Sequence, residues 1–382
     1  MTPLPAARGN RIQELDGLRA VAVLAVVVNH VYEFSGSVRQ GPDLLSRILT
    51  VPGGMGVHVF FVISGFIITT LLLKEKERTG RVSLFAFYIR RVFRIVPPFA
   101  AFLLSLLALG QSNLIRVNPH DIVYSALFLG NTALIDPNAW FVRHTWSLSV
   151  EEQFYAIFPP VLCFIAAFRT RFYAVFLAAA YGLSLLSLKL AHELSIHAAP
   201  AWISLAGLYD FRYIIVGVLM ALFGGAVLPH LANRSRWWAV LLVVAVFALQ
   251  ATPIPWPAVS VLCAAIEPFL CGLLVMWFMQ NPARCAPLRW AWVQWLGACS
   301  YSIYLWQQLF TGGPENYPGL AIAQSPLAVL AILPCAAISY YVIERPAIAL
   351  GHRLSQRVRG PASSRAVSVT PEGGKDYETT GQ

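Results

Sequence analysis

An imidazole and a guanidinium on one face of an apolar helix could do acid–base chemistry where isolated charge is unfavourable. The first long apolar segment of the chain carries Arg19 and, eleven residues later, His30. Eleven residues make almost three α-helical turns, so the two side chains share a face and stand about 16 Å apart along the axis. Ionisable groups in a membrane-type helix point into a protein interior or a wet cavity, which makes the pair a functional-site candidate. A neutral histidine can act as a general base or as a nucleophile. The structural alternative is an arginine that snorkels to the interface and a histidine satisfied by a carbonyl.

Three further constellations carry polar chemistry. Arg94 falls three residues after Arg91 and four after Arg90, which crowds like charge on one side of a helix, an unfavourable arrangement unless an anion is present. Guanidinium groups recognise phosphate bidentately, so the cluster reads as a phosphate clamp or as a holder of acidic lipid headgroups. Pro97 and Pro98 then limit the continuation of that helix. In the run from Trp140 to Tyr155, a helix beginning near Ser147 stacks Ser147, Glu151 and Tyr155 at four-residue spacing along one stripe, either a site wall or a structural helix start. Ser149 and Glu152 match a capping box, which leaves Glu151 as the more chemical carboxylate. The last constellation spans residues 297–308 and 340–346, where the tyrosines read as interface anchors and Glu344–Arg345 as an end-of-helix ion pair.

The elements that must position these groups follow from composition. Hydrophobic residues make up 57% of the 382, charged residues only 12%, and the mean hydropathy is +0.63. That composition predicts an all-α polytopic membrane protein. Ten spans are predicted near 15–33, 55–73, 95–110, 150–168, 172–190, 209–228, 237–252, 257–279, 290–310 and 325–344, most close to the roughly 20 residues that cross a bilayer. A shorter apolar stretch, 122–134, fits a buried or re-entrant segment. With a cytoplasmic N-terminus, only Arg39, Arg47, Arg116, Arg143, Lys189 and Arg212 of the 28 Lys and Arg lie toward the far side. Both termini are thus expected in the cytoplasm, and the +10 net charge reflects the positive-inside bias rather than nucleic-acid binding. The six cysteines show no metal or redox spacing and read as small buried hydrophobes, and no metal site is expected. Arg8 and Arg11 precede a span with its own polar face, so no cleavable signal is evident, and no convincing internal repeat suggests inverted halves. Residues 1–350 read as one membrane domain and 351–382 as a basic juxtamembrane segment with a disordered tail.

The run from Leu15 to His30, Phe60-Phe-Val-Ile-Ser-Gly-Phe66, Arg91-Val-Phe-Arg94, Trp146-Ser-Leu-Ser-Val-Glu-Glu-Gln-Phe-Tyr155 and Ser300-Tyr-Ser-Ile-Tyr-Leu-Trp306 resemble the acyltransferase 3 family of integral-membrane acyltransferases, over roughly residues 11 to 350. The resemblance implies transfer of an acyl group, commonly acetyl, from cytoplasmic acyl-CoA to a hydroxyl of a carbohydrate or glycoconjugate such as O-antigen, exopolysaccharide, peptidoglycan or lipo-oligosaccharide; some members modify macrolides. It implies an inner-membrane, multi-pass enzyme with acyl-CoA as co-substrate and no permanently bound cofactor. His30 matches the family's essential histidine, Arg19 its paired arginine, and Arg91 and Arg94 its double-arginine motif. On this reading His30 and Glu151 are catalytic, His30 as general base toward the acceptor hydroxyl or as transient acyl carrier, and Arg19, Arg90, Arg91 and Arg94 bind acyl-CoA. Asp16, Trp146, Ser147, Tyr155, Tyr304 and Glu344 support the site or face the acceptor. Between Arg19 and His30 a pantetheine arm could extend, which keeps the thioester away from bulk water.

Two departures accompany the resemblance. Gln307 stands where the family often has histidine, so a second catalytic imidazole is not available at that position. The extracellular esterase-like domain of some relatives is not found after Gly351, so transfer is expected to finish within the membrane domain. Two other classes fit the intramembrane charges: a transporter or flippase for a sugar-bearing or acylated lipid, and a non-catalytic scaffold of a polysaccharide-synthesis complex.

Overall fold

The computed structural model describes residues 12–34, 44–132, 134–165, 175–187, 209–252, 256–320 and 326–359. These residues are helical and contain no strand. The principal helices are α1 (Gln13–Phe34), α2 (Leu44–Thr79), α3 (Leu84–Gln111), α4 (Pro119–Ala126), α5 (Trp140–Arg143) and α6 (Thr145–Ile165). They continue with α7 (Val175–Ser187), α8 (Phe211–Phe223), α9 (Arg236–Ala251), α10 (Pro257–Gln280), α11 (Ala291–Ala298), α12 (Ser300–Trp306), α13 (Ile332–Ile338) and α14 (Arg345–Arg359).

Five helical runs are long and apolar enough to cross a membrane: Gln13–Glu33, Ser46–Thr79, Leu84–Gln111, Val259–Gln280 and Leu327–Val358. The predicted ten-span count is therefore not reproduced among the described residues. The ninth predicted span breaks at Cys299 into α11 and α12. The tenth is joined to α14 through a π-helical turn, Ser339–Glu344, and runs on to Arg359. The fifth lies partly outside the described residues, as does the tail from residue 360. Pro97 and Pro98 do not divide α3, so the arginine cluster and the third predicted span form one 28-residue helix. Membrane-type helices absorb proline because neighbouring groups re-satisfy the freed backbone. The predicted buried segment at 122–134 is represented by α4, which opens on an Asn118 cap and buries Asp121, Ile122 and Ser125.

Local signals set several ends. Gly80 adopts φ +73° just after α2, a left-handed stop, and the Ser83 hydroxyl caps α3 by accepting from the Ala86 N–H. The capping box expected at Ser149 and Glu152 is absent because α6 already begins at Thr145. Ser149 instead donates to the Thr145 carbonyl at 2.9 Å and accepts from the Gly130 N–H at 2.9 Å, tying a loop to the helix.

Helix α2 packs along both α1 and α8, and α14 lies along α3. A Cβ at Gly65 would meet the Ile214 carbonyl oxygen, and one at Gly217 would meet that of Val62. The two backbones thus approach as closely as small residues allow, which is how membrane helices pack without a hydrophobic gradient between them. The first turn of α1 is similarly seated, with the Asp16 carbonyl against Gly297.

Candidate functional site

Six helices converge on a cavity of about 270 Å³. α1 contributes Arg19, α2 Ser64 and Glu75, and α3 Arg90, Arg91 and Arg94. α6 supplies Ser147, Glu151 and Tyr155, the stripe that four-residue spacing predicts. α12 adds Ser300, Tyr301 and Tyr304, and α14 closes one side with Ile348 and His352.

The basic groups are held rather than loose. Asp16 lies 3.8 Å from Arg19 and Glu75 lies 3.4 Å from Arg90. The Arg91 guanidinium stands over the Tyr155 ring at 4.6 Å, a cation–π contact. Glu151 accepts a hydrogen bond from Ser64 at 2.5 Å, which aims its carboxylate into the cavity. At the far end Tyr304 donates to the His144 carbonyl at 2.8 Å and shares a 2.6 Å hydrogen bond with Ser147.

His30 is not among the residues lining this cavity. Arg19 and His30 do share α1, but they serve opposite ends of it. His30 Nδ1 meets Gln307 Oε1 at 2.9 Å across 277 residues of sequence. A carbonyl oxygen only accepts, so Nδ1 carries the hydrogen and Nε2 keeps its lone pair. Gln307 therefore does not merely stand in place of an imidazole; it orients His30. Trp140 meets the His30 ring edge-on, with centroids 6.0 Å apart, and donates from Nε1 to the Gln308 carbonyl at 3.0 Å. Outside this layer Glu33 pairs with Arg143, whose guanidinium stands 5.0 Å over the Trp140 ring.

Two predicted positions need correction or refinement. Glu344 is not half of an end-of-helix pair with Arg345, because the helical run continues past it; it is buried and accepts from Ser302 at 2.8 Å. Trp146 stands behind the cavity, edge-on to Phe61 at 5.9 Å. Ser64, Glu75, Ser300, Tyr301 and His352 were not singled out from the sequence, although Ser64 sits inside the Phe60–Phe66 motif and Ser300 and Tyr301 inside the Ser300–Trp306 motif. Nor was His144, one residue before α6, where no periodic pattern singles it out. Only 2% exposed, it packs edge-on to Phe102 at 5.5 Å and Tyr304 at 5.3 Å. Burial pushes its imidazole down to about 3, with the neighbouring His30 acting in the same direction, so the ring is neutral near pH 7.

This is a helical membrane protein with an arginine-rich internal cavity and a fixed histidine beyond it. The chain belongs to the acyltransferase 3 family: the family profile, described as an acyltransferase domain, matches residues 12–344. Among curated relatives, a protein of Staphylococcus aureus strain COL, provisionally designated an O-acetyltransferase, is 35% identical over 192 residues, covering 47% of this chain and 29% of that protein. A similarly designated protein of strain MSSA476 is 35% identical over 189 residues, covering 46% of this chain and 28% of its own length. The O-acetyltransferase OatA of strain NCTC 8325 is 33% identical over 162 residues, covering 40% of this chain and 24% of its own length. The match thus takes in less than a third of each relative. No solved structure shows significant similarity to the chain.

Proposed function

We propose that the protein is an O-acyltransferase that moves an acyl group, in the simplest case acetyl, from cytoplasmic acyl-CoA to a hydroxyl of a carbohydrate or glycoconjugate in the inner membrane. The observation that carries this reading is the division of labour along α1: four arginines and Glu151 around one cavity, and an oriented His30 beyond Tyr304. Arg19, Arg90, Arg91 and Arg94 suit the phosphates of CoA, since guanidinium groups stay charged and bind phosphate in pairs of hydrogen bonds.

A thioester already has a good leaving group, so the remaining task is to activate the hydroxyl. His30 Nε2 takes the hydroxyl proton as the oxygen attacks the thioester carbon. The C–S bond breaks, and the departing CoA thiolate recovers the proton from the imidazolium. Glu151, held by Ser64, presents its carboxyl group to the arginines, and the buried surroundings keep water from competing.

Radiolabelled acetyl-CoA and purified full chain in nanodiscs test the reading. CoA release with label appearing in a glycoconjugate is the expected result, with loss of at least about a hundredfold in His30→Ala, the scale of a general base. Arg91→Ala and Arg94→Ala are expected to raise the KM for acetyl-CoA. Movement of glycolipid across the bilayer without CoA release would replace the enzyme reading with that of a transporter.

A further inference from the structure

The mechanism brings the thioester to His30, but the arginine cavity stops short of that residue. Its lining includes Ser147 and Tyr304 and not His30. Both lining residues stand one helical turn from the layer around the imidazole. Tyr304 precedes Gln307, the partner of His30, by three residues, and Ser147 follows His144, a neighbour of His30, by three. The rings of His144 and Tyr304 meet edge-on with centroids 5.3 Å apart. An acyl group that passes from the arginines to His30 therefore meets the Tyr304 ring.

That ring is latched. The Tyr304 hydroxyl donates to the His144 carbonyl at 2.8 Å, and a phenol has only one hydrogen, so Ser147 is the donor in the 2.6 Å contact between the two hydroxyls. Both sides of the latch lie at breaks in helices. His144 separates α5 from α6, and Tyr304 belongs to a seven-residue helix bounded by Cys299 and by the 3-10 turn Gln307–Leu309. Element ends of this kind are where hinge motions are absorbed. The latch consists of neutral hydrogen bonds, each of modest net worth, so ligand binding can release it.

A closed ring at this place has a chemical use. His30, with the lone pair of Nε2 free, can activate water as well as a sugar hydroxyl. The water oxygen then attacks the thioester carbon, the C–S bond breaks, and the CoA thiolate recovers the proton from the imidazolium, leaving acetate and CoA. Keeping the thioester away from His30 suppresses that loss.

We propose that Tyr304, latched by Ser147 and the His144 carbonyl, is a gate between the arginine cavity and His30, a positioning residue that controls when the thioester meets the general base. The inference rests on the O-acyltransferase reading and adds the control of the step that His30 performs.

The test needs no acceptor. Full chain in nanodiscs receives acetyl-CoA labelled in the acetyl group; release of labelled acetate and the Kd for acetyl-CoA are measured. Tyr304→Phe removes both hydrogen bonds of the phenol and keeps the ring, and Ser147→Ala removes one of them. Each is expected to release acetate at least about tenfold faster than wild type, with the Kd for acetyl-CoA within about threefold and thermal unfolding close to wild type. Adding His30→Ala to Tyr304→Phe is expected to cancel the gain, an effect that loosened packing alone does not produce. Unchanged acetate release in Tyr304→Phe overturns the gate. A gain that survives His30→Ala also overturns it, because water then reaches the thioester inside the arginine cavity. If Tyr304→Phe fails to fold, Ser147→Ala with and without His30→Ala decides by the same criteria. Wild-type chain that does not bind acetyl-CoA brings down the O-acyltransferase reading itself, and the gate with it.

Discussion

At the scale of single residues, the decisive contact is His30 Nδ1 with Gln307 Oε1 at 2.9 Å. Without it the imidazole could present either tautomer to a hydroxyl, and only one leaves Nε2 free to accept a proton. Gln307→Leu is therefore expected to lower kcat about tenfold or more while the KM for acyl-CoA stays the same. Gln307→His keeps a hydrogen-bonding partner for Nδ1 and is expected to stay within about tenfold of wild type, a change of about 1.4 kcal/mol in the barrier. A turnover gain of that size or more would mean that a second imidazole takes part. His144 yields a different expectation, in stability. Its folded value of about 3 lies below the ordinary 6.5, so between those pH values the unfolded chain binds more protons than the folded one. The stability it permits is complete above pH 6.5 and is lost as pH falls toward 3. Thermal unfolding of detergent-solubilised protein at pH 7 and pH 5 should show this fall, and His144→Phe should flatten it. An equal fall in both proteins would assign the acid sensitivity elsewhere.

Elements, rather than residues, decide how close these groups can come. Arg19 and Ser64 reach one cavity because α1, α2 and α8 pack with almost no side chain between their backbones, at Gly56 against Ala22, Gly65 against Ile214 and Gly217 against Val62. Gly217→Val drives a branched side chain into a backbone oxygen that cannot move without the helix. The expected cost is about 1–3 kcal/mol, seen as a lower unfolding midpoint and a smaller folded fraction, with activity falling in step with folded protein. Full activity at wild-type stability would show that the two helices can separate freely. The same scale explains what the sequence revealed and what it hid. Ser147, Glu151 and Tyr155 were legible as one stripe because helical periodicity is local, and all three line the cavity. The proline pair at 97 and 98 suggested a boundary in α3 that packing overrides, and the Ser149–Glu152 pattern suggested a helix start that Thr145 pre-empts. The approach of Gln307 to His30, and of Tyr304 to His144, spans more than 150 residues in each case and leaves no local pattern. Charge composition marked Arg90, Arg91 and Arg94, but nothing in it could pair Arg90 with Glu75.

Over the whole molecule, the arginine cavity and His30 lie toward opposite ends of α1, and the two ends differ in charge. The last turns of α2 carry Lys74, Lys76 and Arg78 beside Glu75, which lines the arginine cavity, and Arg289 pairs with Glu14 at 3.1 Å at the start of α1. At the other end Arg143 is paired with Glu33. Arg212, which a count by sequence assigns to the same side, is only 1% exposed and sits among Asp210, Glu267 and His58. An arginine neutralised inside the bundle exerts little pull on orientation, so the basic residues are divided between the two ends more unequally than the bare count implies. Cysteine labelling reads this directly. Glu77→Cys lies on the exposed donor-side end of α2, and His120→Cys lies on the exposed start of α4. A membrane-impermeant maleimide applied to intact spheroplasts is expected to modify His120→Cys and spare Glu77→Cys, and inverted vesicles should give the reverse, each measured against the parent chain with its own six cysteines. If both sites label from one side, the two substrates cannot arrive from opposite faces of the membrane. If the pattern is inverted, the arginine cavity faces away from the cytoplasmic supply of acyl-CoA and cannot be the donor site.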